Sequence, residues 1–165
     1  MSEMMNAMQT PVTGDSRTLV LLRRFVLALW IVGLLGTGAE LLLLGHTDGA
    51  WQLVPLILIA AGLVAFAWLA MARQRASLRV FQGTLILFVA SGFVGMLLHF
   101  LGKMDFKRET NPSLAGWELF REALQGAMPP ILAPAAMIQF GLLGLAYTFR
   151  HPTLVRTTKT FNTTP

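Results

Sequence analysis

The stretch RRFVLALWIVGLLGTGAELLLLG, residues 23–45, determines the solvent in which this chain folds. Its apolar part covers residues 25–44, about 20 residues, which is the length a helix needs to cross ~30 Å of bilayer hydrocarbon. Three more blocks of this kind cover residues 52–72, 80–101 and 131–149. Backbone polar groups inside lipid must be bonded within their own segment, and none of the blocks alternates like a barrel strand. Each block is therefore predicted to be a membrane-spanning α-helix.

The composition supports the same interpretation. Hydrophobic residues make up 55% of the 165-residue chain and charged residues only 13%, against roughly 25% charged residues in soluble domains. We therefore predict an all-α integral membrane four-helix bundle, with residues 17–150 forming the transmembrane domain. Residues 1–16 and 151–165 are polar and are expected to be tails outside the bilayer. The four tryptophans and Tyr147 fall mostly near predicted helix ends, as interfacial anchors do.

The cations of the chain are concentrated on one side of this four-span scheme. The side that holds both tails carries nine Lys or Arg residues against two acids, a net charge of +7. The opposite side carries four against six, a net charge of −2. Positive residues in short loops stay in the cytoplasm, so both termini are predicted to be cytoplasmic, in the inner membrane of a bacterium. The pair Arg23-Arg24 before an apolar run also has the outline of a removable signal, but the leucines after Ala39 favour a retained anchor.

The long connection between the third and fourth blocks contains a predicted amphipathic helix over residues 112–125. Asn111 and Pro112 are typical of a helix start, and Gly126 followed by two prolines is typical of a stop. Apolar residues recur on one face, at Leu114, Trp117, Phe120 and Leu124. The helix is expected to lie on the outer membrane surface or over the mouth of the bundle. It serves there as a packing lid, a gating lid or a docking helix.

Small residues predict which helix faces touch, because membrane helices associate where backbones approach closely. The predicted packing positions are Gly33, Gly36, Ala61, Ala65, Gly92, Gly95, Gly141 and Gly144. Glu40 follows Gly33 and Gly36 by seven and four residues, and His99 stands in the same relation to Gly92 and Gly95. Both ionisable groups are therefore expected on inward faces.

A polar pocket between the helices is the hypothesis that follows. By helical rise, Glu40 and His99 lie within about 3 Å of the same depth, and pairing is how buried charge is usually tolerated. The two side chains are expected to be paired or to share a small polar cavity. The candidate pocket residues are Glu40, His99, His46, Glu118, Glu122 and Gln139.

Several kinds of chemistry are disfavoured by the sequence. The chain has no cysteine, which excludes disulfides, thiolate ligands and thiol catalysis. His46, Asp48, Glu118 and Glu122 are possible metal ligands, and His46 with His99 are possible haem ligands, but their spacing matches no specific motif. No metal and no cofactor are therefore predicted. No catalytic motif is present, so the chain is predicted not to be an enzyme.

Two functions remain open from the sequence. The first is a non-catalytic packing or accessory subunit of a membrane assembly, either a homo-oligomer or a larger complex. The alternative is a transporter or sensor of a proton, ion or small molecule, acting through an outward-facing polar pocket at Glu40 and His99. The lipid bilayer is the expected partner in both cases. Nucleic acid is not, because the positive charge follows membrane topology.

Overall fold

The computed structural model of the chain describes residues 13–125, 131–149 and 151. Within these residues the backbone forms five α-helices and no strand, which confirms the predicted all-α class for this part of the chain. Most of the two predicted tails, and the expected helix stop at Gly126, lie outside the described residues. The helices are α1 (Thr13–Leu43), α2 (Ala50–Ala72), α3 (Arg75–Thr110), α4 (Gly116–Gln125) and α5 (Ala135–Thr148).

Three of these helices, α1 from Arg17 onward, α2 and α3, are long and apolar enough to cross a membrane. The fifth, α5, is also apolar. Its 14 residues extend only about 21 Å at ~1.5 Å per residue, which is shorter than the ~30 Å hydrocarbon core. The predicted fourth span, residues 131–149, begins instead with a turn at residues 131–134. Pro134, which lacks a backbone N–H, is the N-cap of α5.

Helices α1 and α3 extend beyond their apolar blocks. Helix α1 begins at Thr13 instead of near Phe25, and α3 continues through Gly102 to Thr110. Lys, Arg and Glu are good helix formers in water, and one glycine costs only about 1 kcal/mol relative to alanine. The end of an apolar block therefore does not mark the end of the helix. The 36 residues of α3 extend about 54 Å, so this helix is longer than the bilayer core is thick.

Neighbouring helices of the bundle run antiparallel. Arg23 Nη2 donates a 2.8 Å hydrogen bond to the Phe149 carbonyl, and Gly33 lies against the Phe140 ring, so residue numbers rise along α1 as they fall along α5. Helices α3 and α5 are antiparallel by the contacts Gln82–Thr148 and Gly95–Pro134. Helices α1 and α2 are antiparallel by Trp30–Gly62 and Gly38–Ile59. Helices α2 and α3 are antiparallel by Phe66–Phe81 and Gly62–Phe88.

This arrangement defines two ends of the bundle. The proximal end carries Arg17, the connection at residues 73–74 and His151, so both described ends of the chain lie there. The distal end carries the α1–α2 connection at residues 44–49 and the turn at residues 131–134. Helix α3 continues past the distal end, and α4 packs against that extension.

The core centres on Trp30, which is fully buried. Its ring packs edge-on against Phe81, with ring centroids 5.3 Å apart. Trp30 is therefore a core residue and not the interfacial anchor expected from the sequence. Other buried apolar residues come from α1, α2, α3 and α5, and they are Leu34, Ile59, Ala65, Leu69, Leu78, Leu85, Phe88, Met137 and Phe140.

Glycines allow the closest helix contacts. A Cβ at Gly141 would lie 2.7 Å from the Leu85 carbonyl oxygen, and one at Gly92 would lie 3.0 Å from the Pro134 carbonyl oxygen. Gly33, Gly95 and Gly144 also face side chains of a neighbouring helix, and Ala65 is buried. Two of the predicted packing residues face outward instead: Gly36 is exposed with nothing within 4 Å of its Cβ position, and Ala61 is exposed.

Candidate functional site

A cavity of about 660 Å³ lies in the distal half of the bundle. It is bounded by the distal parts of α1, α2 and α3 and by the start of α5. Most of its walls are leucine, valine, alanine and proline. The polar side chains that line it are Thr37, His46, Gln52, Ser91 and His99. The cavity is therefore apolar with a few polar groups, which is the usual character of a small-molecule site.

The end of α1 places His46 at this cavity. The Gly45 backbone is left-handed, with φ +62°, a conformation that glycine adopts without strain. The His46 N–H donates to the Leu41 carbonyl at 2.9 Å, and the Gly45 N–H donates to the Leu42 carbonyl at 3.1 Å. These two bonds form a Schellman motif, which reverses the chain at the helix end. The imidazole of His46 is thereby held at the distal end of the cavity, which is lined by His46, Gln52 and His99 and is called the distal mouth below.

The first turn of α2 supplies the next polar group. The Asp48 N–H donates a 2.9 Å hydrogen bond to Gln52 Oε1, so the carboxamide nitrogen of Gln52 is the end left as a donor. Pro55, inside α2, also lines the cavity. Because proline has no N–H, the Trp51 carbonyl lacks the helical donor that residue 55 would normally supply. The α2 wall of the cavity thus carries a donor and a backbone acceptor near its distal end.

Helix α3 forms the longest wall, from Leu87 to His99. The Ser91 hydroxyl donates to the Phe88 carbonyl at 2.9 Å, so its oxygen is left as an acceptor. His99 lies near the distal end of this wall, at the same end as His46 and Gln52. Polar groups therefore cluster toward the distal mouth, and among the described lining residues the deeper wall carries the hydroxyls of Ser91 and Thr37.

The predicted Glu40–His99 site is not what the structure assembles. Gly36 and Glu40 do share a face of α1, but both are exposed, and Glu40 does not line the cavity. Helix α1 packs through Trp30, Leu34 and Gly38. Glu40 follows Gly38 by two residues, about 200° around the helix, which turns its carboxylate away from the bundle.

The other predicted pocket residues are divided among three places. His46 and His99 line the same cavity. Gln139 is exposed on α5, and Glu118 is exposed on α4. Glu122 forms a salt bridge with Lys107, with Glu122 Oε2 3.2 Å from Lys107 Nζ. Among the described residues no group of three or more acidic or histidine side chains is arranged to hold a metal ion.

Helix α4 forms a cap on the distal extension of α3. It buries Leu119 and Ala123, while the predicted apolar face remains largely open, with Trp117 74% exposed. Phe120 contacts Phe100 of α3, with ring centroids 5.4 Å apart. Lys103, which lies between the α4-contacting residues Phe100 and Lys107 of α3, is only 1% exposed. A buried lysine is not expected there from the sequence, because Lys103 lies beyond the predicted third span, residues 80–101.

Sequence reasoning missed most of the residues that form the cavity. The sequence analysis places Gln52 at the start of the predicted second span, Trp51 among the interfacial anchors and Pro134 inside the predicted fourth span. The available signals were the proline inside the second apolar block and the proline near the start of the fourth, because proline interrupts the hydrogen bonding of a helical backbone.

The proximal end has a separate polar cluster. Arg23 donates to the Phe149 carbonyl, and the Tyr147 ring contacts His151 with centroids 5.7 Å apart. Burial lowers the pKa of His151 below its ordinary value of 6.5, and the Arg23 charge lowers it further.

No family model, curated protein or solved structure matches this chain.

Proposed function

We propose that this chain is a multi-pass protein of a bacterial inner membrane that serves as a non-catalytic packing or accessory subunit of a membrane assembly. In this proposal α5 and the turn before it supply the fourth crossing, and both termini are cytoplasmic. The fourth crossing is supported by contacts at both ends of this segment: Pro134 lies against Gly95 near the distal end, and the Phe149 carbonyl accepts a hydrogen bond from Arg23 at the proximal end. The positive-inside rule supports the orientation, because the proximal end carries Arg17, Arg23, Arg24, Arg73, Arg75 and Arg79.

The observation that carries the proposal is the position of Gln139. Its side chain is exposed, and it directly precedes Phe140, whose carbonyl accepts the buried indole N–H of Trp30. Gln139 is thus at the depth of the bundle core. No hydrogen bond reaches its carboxamide from the residues that the structure describes. An amide without a partner in hydrocarbon costs roughly 4–8 kcal/mol, so a hydrogen bond from another transmembrane helix would stabilise it.

The outward face of α1 adds a second feature of the same kind. Gly36 leaves open space at its Cβ position, and the Glu40 carboxylate lies one turn further along the same exposed face. A glycine on a lipid-facing surface permits close approach of another helix. An ionisable group within a span is rarely left facing lipid. Both features favour a protein partner on the exposed surface of the bundle.

The test compares two glutamine substitutions in the full-length protein, extracted with a mild detergent from its own membrane. Gln139→Leu removes the exposed carboxamide. We expect it to weaken association by about threefold to tenfold, the range for one interhelical hydrogen bond, and to leave the folded chain intact. The measurement is the mass and abundance of the complex by native mass spectrometry.

Gln82→Leu is the matched control. Gln82 Nε2 donates to Thr148 Oγ1 at 3.3 Å inside the bundle, so its loss should lower stability by about 1 kcal/mol and leave association unchanged. A wild-type chain that is monomeric in gentle extracts, together with a Leu142→Cys variant that gives no cross-linked product, would contradict the subunit proposal. The chain has no native cysteine, so the cross-link would report that position only.

A second candidate function is the sensing or transport of a small molecule, and the distal cavity is the observation that favours it. Its described lining contains the two imidazoles of His46 and His99 but no carboxylate and no Lys or Arg. An apolar wall disfavours the passage of an ion or proton. The cavity is better suited to an apolar molecule. Gln139→Leu separates the two candidates, because it changes the partner surface and leaves the cavity unaltered.

A further inference from the structure

We propose that the distal cavity binds one uncharged amphiphile, with its apolar tail along α3 and a carbonyl-bearing head at His46 and Gln52. This inference rests on the second candidate function, ligand binding. It is independent of the proposal that a partner covers Gln139, because Gln139 does not line the cavity.

The dimensions of the cavity define the tail. Its volume of about 660 Å³ falls within the ~300–1,000 Å³ of ligand sites. The α3 wall runs from Leu87 to His99, and this separation corresponds to about 18 Å along a helix axis. Leu58 of α2 and Met137 of α5 are among the apolar side chains on the facing walls. A half-open space of this volume and length is suited to a single extended hydrocarbon or prenyl chain.

The polar groups at the distal mouth define the head. Gln52 presents its carboxamide nitrogen as a donor because Asp48 N–H occupies the oxygen, and a neutral His46 imidazole carries one N–H donor. Donors at the mouth select a head that accepts hydrogen bonds, for which a carbonyl oxygen is the simplest group. The apolar wall below the mouth keeps the tail out of water.

Charge at the distal end argues for an uncharged head. The exposed acid Asp48 lies near the mouth, in the α1–α2 connection, and its backbone N–H is bonded to the lining residue Gln52. Its carboxylate disfavours an anionic carboxylate or phosphate there. The described lining contains no Lys or Arg to bind such a head. A prenylated quinone and a monoacyl glyceride both have the required chemistry, and the experiment has an arm for each.

The experiment uses the purified full-length protein in phosphatidylcholine nanodiscs. Three photoactivatable probes carry a diazirine in the same tail: one has a quinone head, one a monoacylglycerol head and one no head. Cross-linked peptides are identified by mass spectrometry. We expect at least one headed probe to label α3 between residues 87 and 98 in the wild-type protein. The headless probe should label those residues about tenfold less, the effect of ~1.4 kcal/mol from head hydrogen bonds.

Two alanines provide the matched variants. Ala90 lines the cavity and Ala61 does not, and they lie at nearly the same depth because Gly62 packs against Phe88. Ala90→Phe, or the smaller change Ala90→Leu if phenylalanine impairs folding, should abolish the labelling of α3. Ala61→Phe should leave it unchanged. Gln52→Leu and His46→Phe should each reduce labelling by the headed probe about threefold to tenfold.

The outcomes separate cleanly. Labelling by the quinone probe only, or by the glyceride probe only, supports the proposal and identifies the source of the head. Equal labelling by the headless probe overturns it, as does labelling that Ala90→Leu does not change in a folded protein. None of these results depends on whether Gln139→Leu alters association, so failure of this inference and failure of the subunit proposal are distinguishable.

Discussion

The indole Nε1 of Trp30 donates a 2.9 Å hydrogen bond to the backbone carbonyl of Phe140. This bond joins α1 to α5 at the centre of the bundle. Trp30 is also in ring contact with Phe66 of α2 and Phe81 of α3. One side chain therefore connects all four helices of the bundle.

Trp30→Phe should lower the free energy of unfolding by about 2 kcal/mol, because it removes the hydrogen bond and leaves a small void beneath the shorter ring. Thermal unfolding in detergent, followed by circular dichroism, measures this change. Trp68, which is 39% exposed, provides the control: Trp68→Phe should change stability by less than about 0.5 kcal/mol. Equal effects of the two substitutions would show that Trp30 does not join the helices in this way.

Gly141→Ala should destabilise the fold by about 1–3 kcal/mol. The added Cβ would lie 2.7 Å from the Leu85 carbonyl oxygen, and backbone cannot move aside as a flexible side chain can. Gly83 has nothing within 4 Å of its Cβ position, so Gly83→Ala should instead stabilise α3 by up to about 1 kcal/mol through helix propensity. The same unfolding assay compares the two. A stabilised Gly141→Ala protein would mean that α3 and α5 do not touch here.

Acid should weaken the folded state through His151. Its pKa in the folded protein is below 6.5, so the unfolded chain binds the proton more readily than the folded chain does. The stability due to the neutral imidazole is therefore complete above pH 6.5 and is lost as the pH falls through the folded-state pKa. Unfolding midpoints of the wild type and His151→Phe, measured from pH 5 to pH 8, isolate this contribution. The variant should show a shallower loss of stability in acid, and a steeper loss would reverse the assigned direction.

Much of the fold could be predicted from the sequence, because long apolar blocks have few possible structures in lipid. The α-helical class and three helices of membrane-spanning length follow from the blocks that begin near Phe25, Gln52 and Val80. The exact helix limits did not follow, because Arg, Lys and Glu continue a helix into water as readily as leucine continues it through lipid. That is why α3 continues past Gly102 and provides the platform for α4.

The candidate site was harder to predict. The spacing of Gly36 and Glu40 places them on one face of α1, but it cannot show which way that face turns. In water an amphipathic pattern separates core from solvent, whereas in a bilayer both sides of the helix surface are apolar. Trp30 was placed at an interface for the same reason, since its contacts with Phe81 and Phe140 depend on residues distant in the chain.

Sequence by itself determined that this chain is helical and has the length and apolarity to enter a membrane, because unpaired backbone groups are excluded from hydrocarbon. Only the tertiary structure decided which polar groups meet. It placed His46 and His99 at one cavity and turned Glu40 and Gln139 outward. The physical reason is that helix rotation is set by the interlocking of Gly92, Gly141 and Trp30 with their neighbours, and van der Waals contacts of that kind leave no periodic pattern in a uniformly apolar sequence.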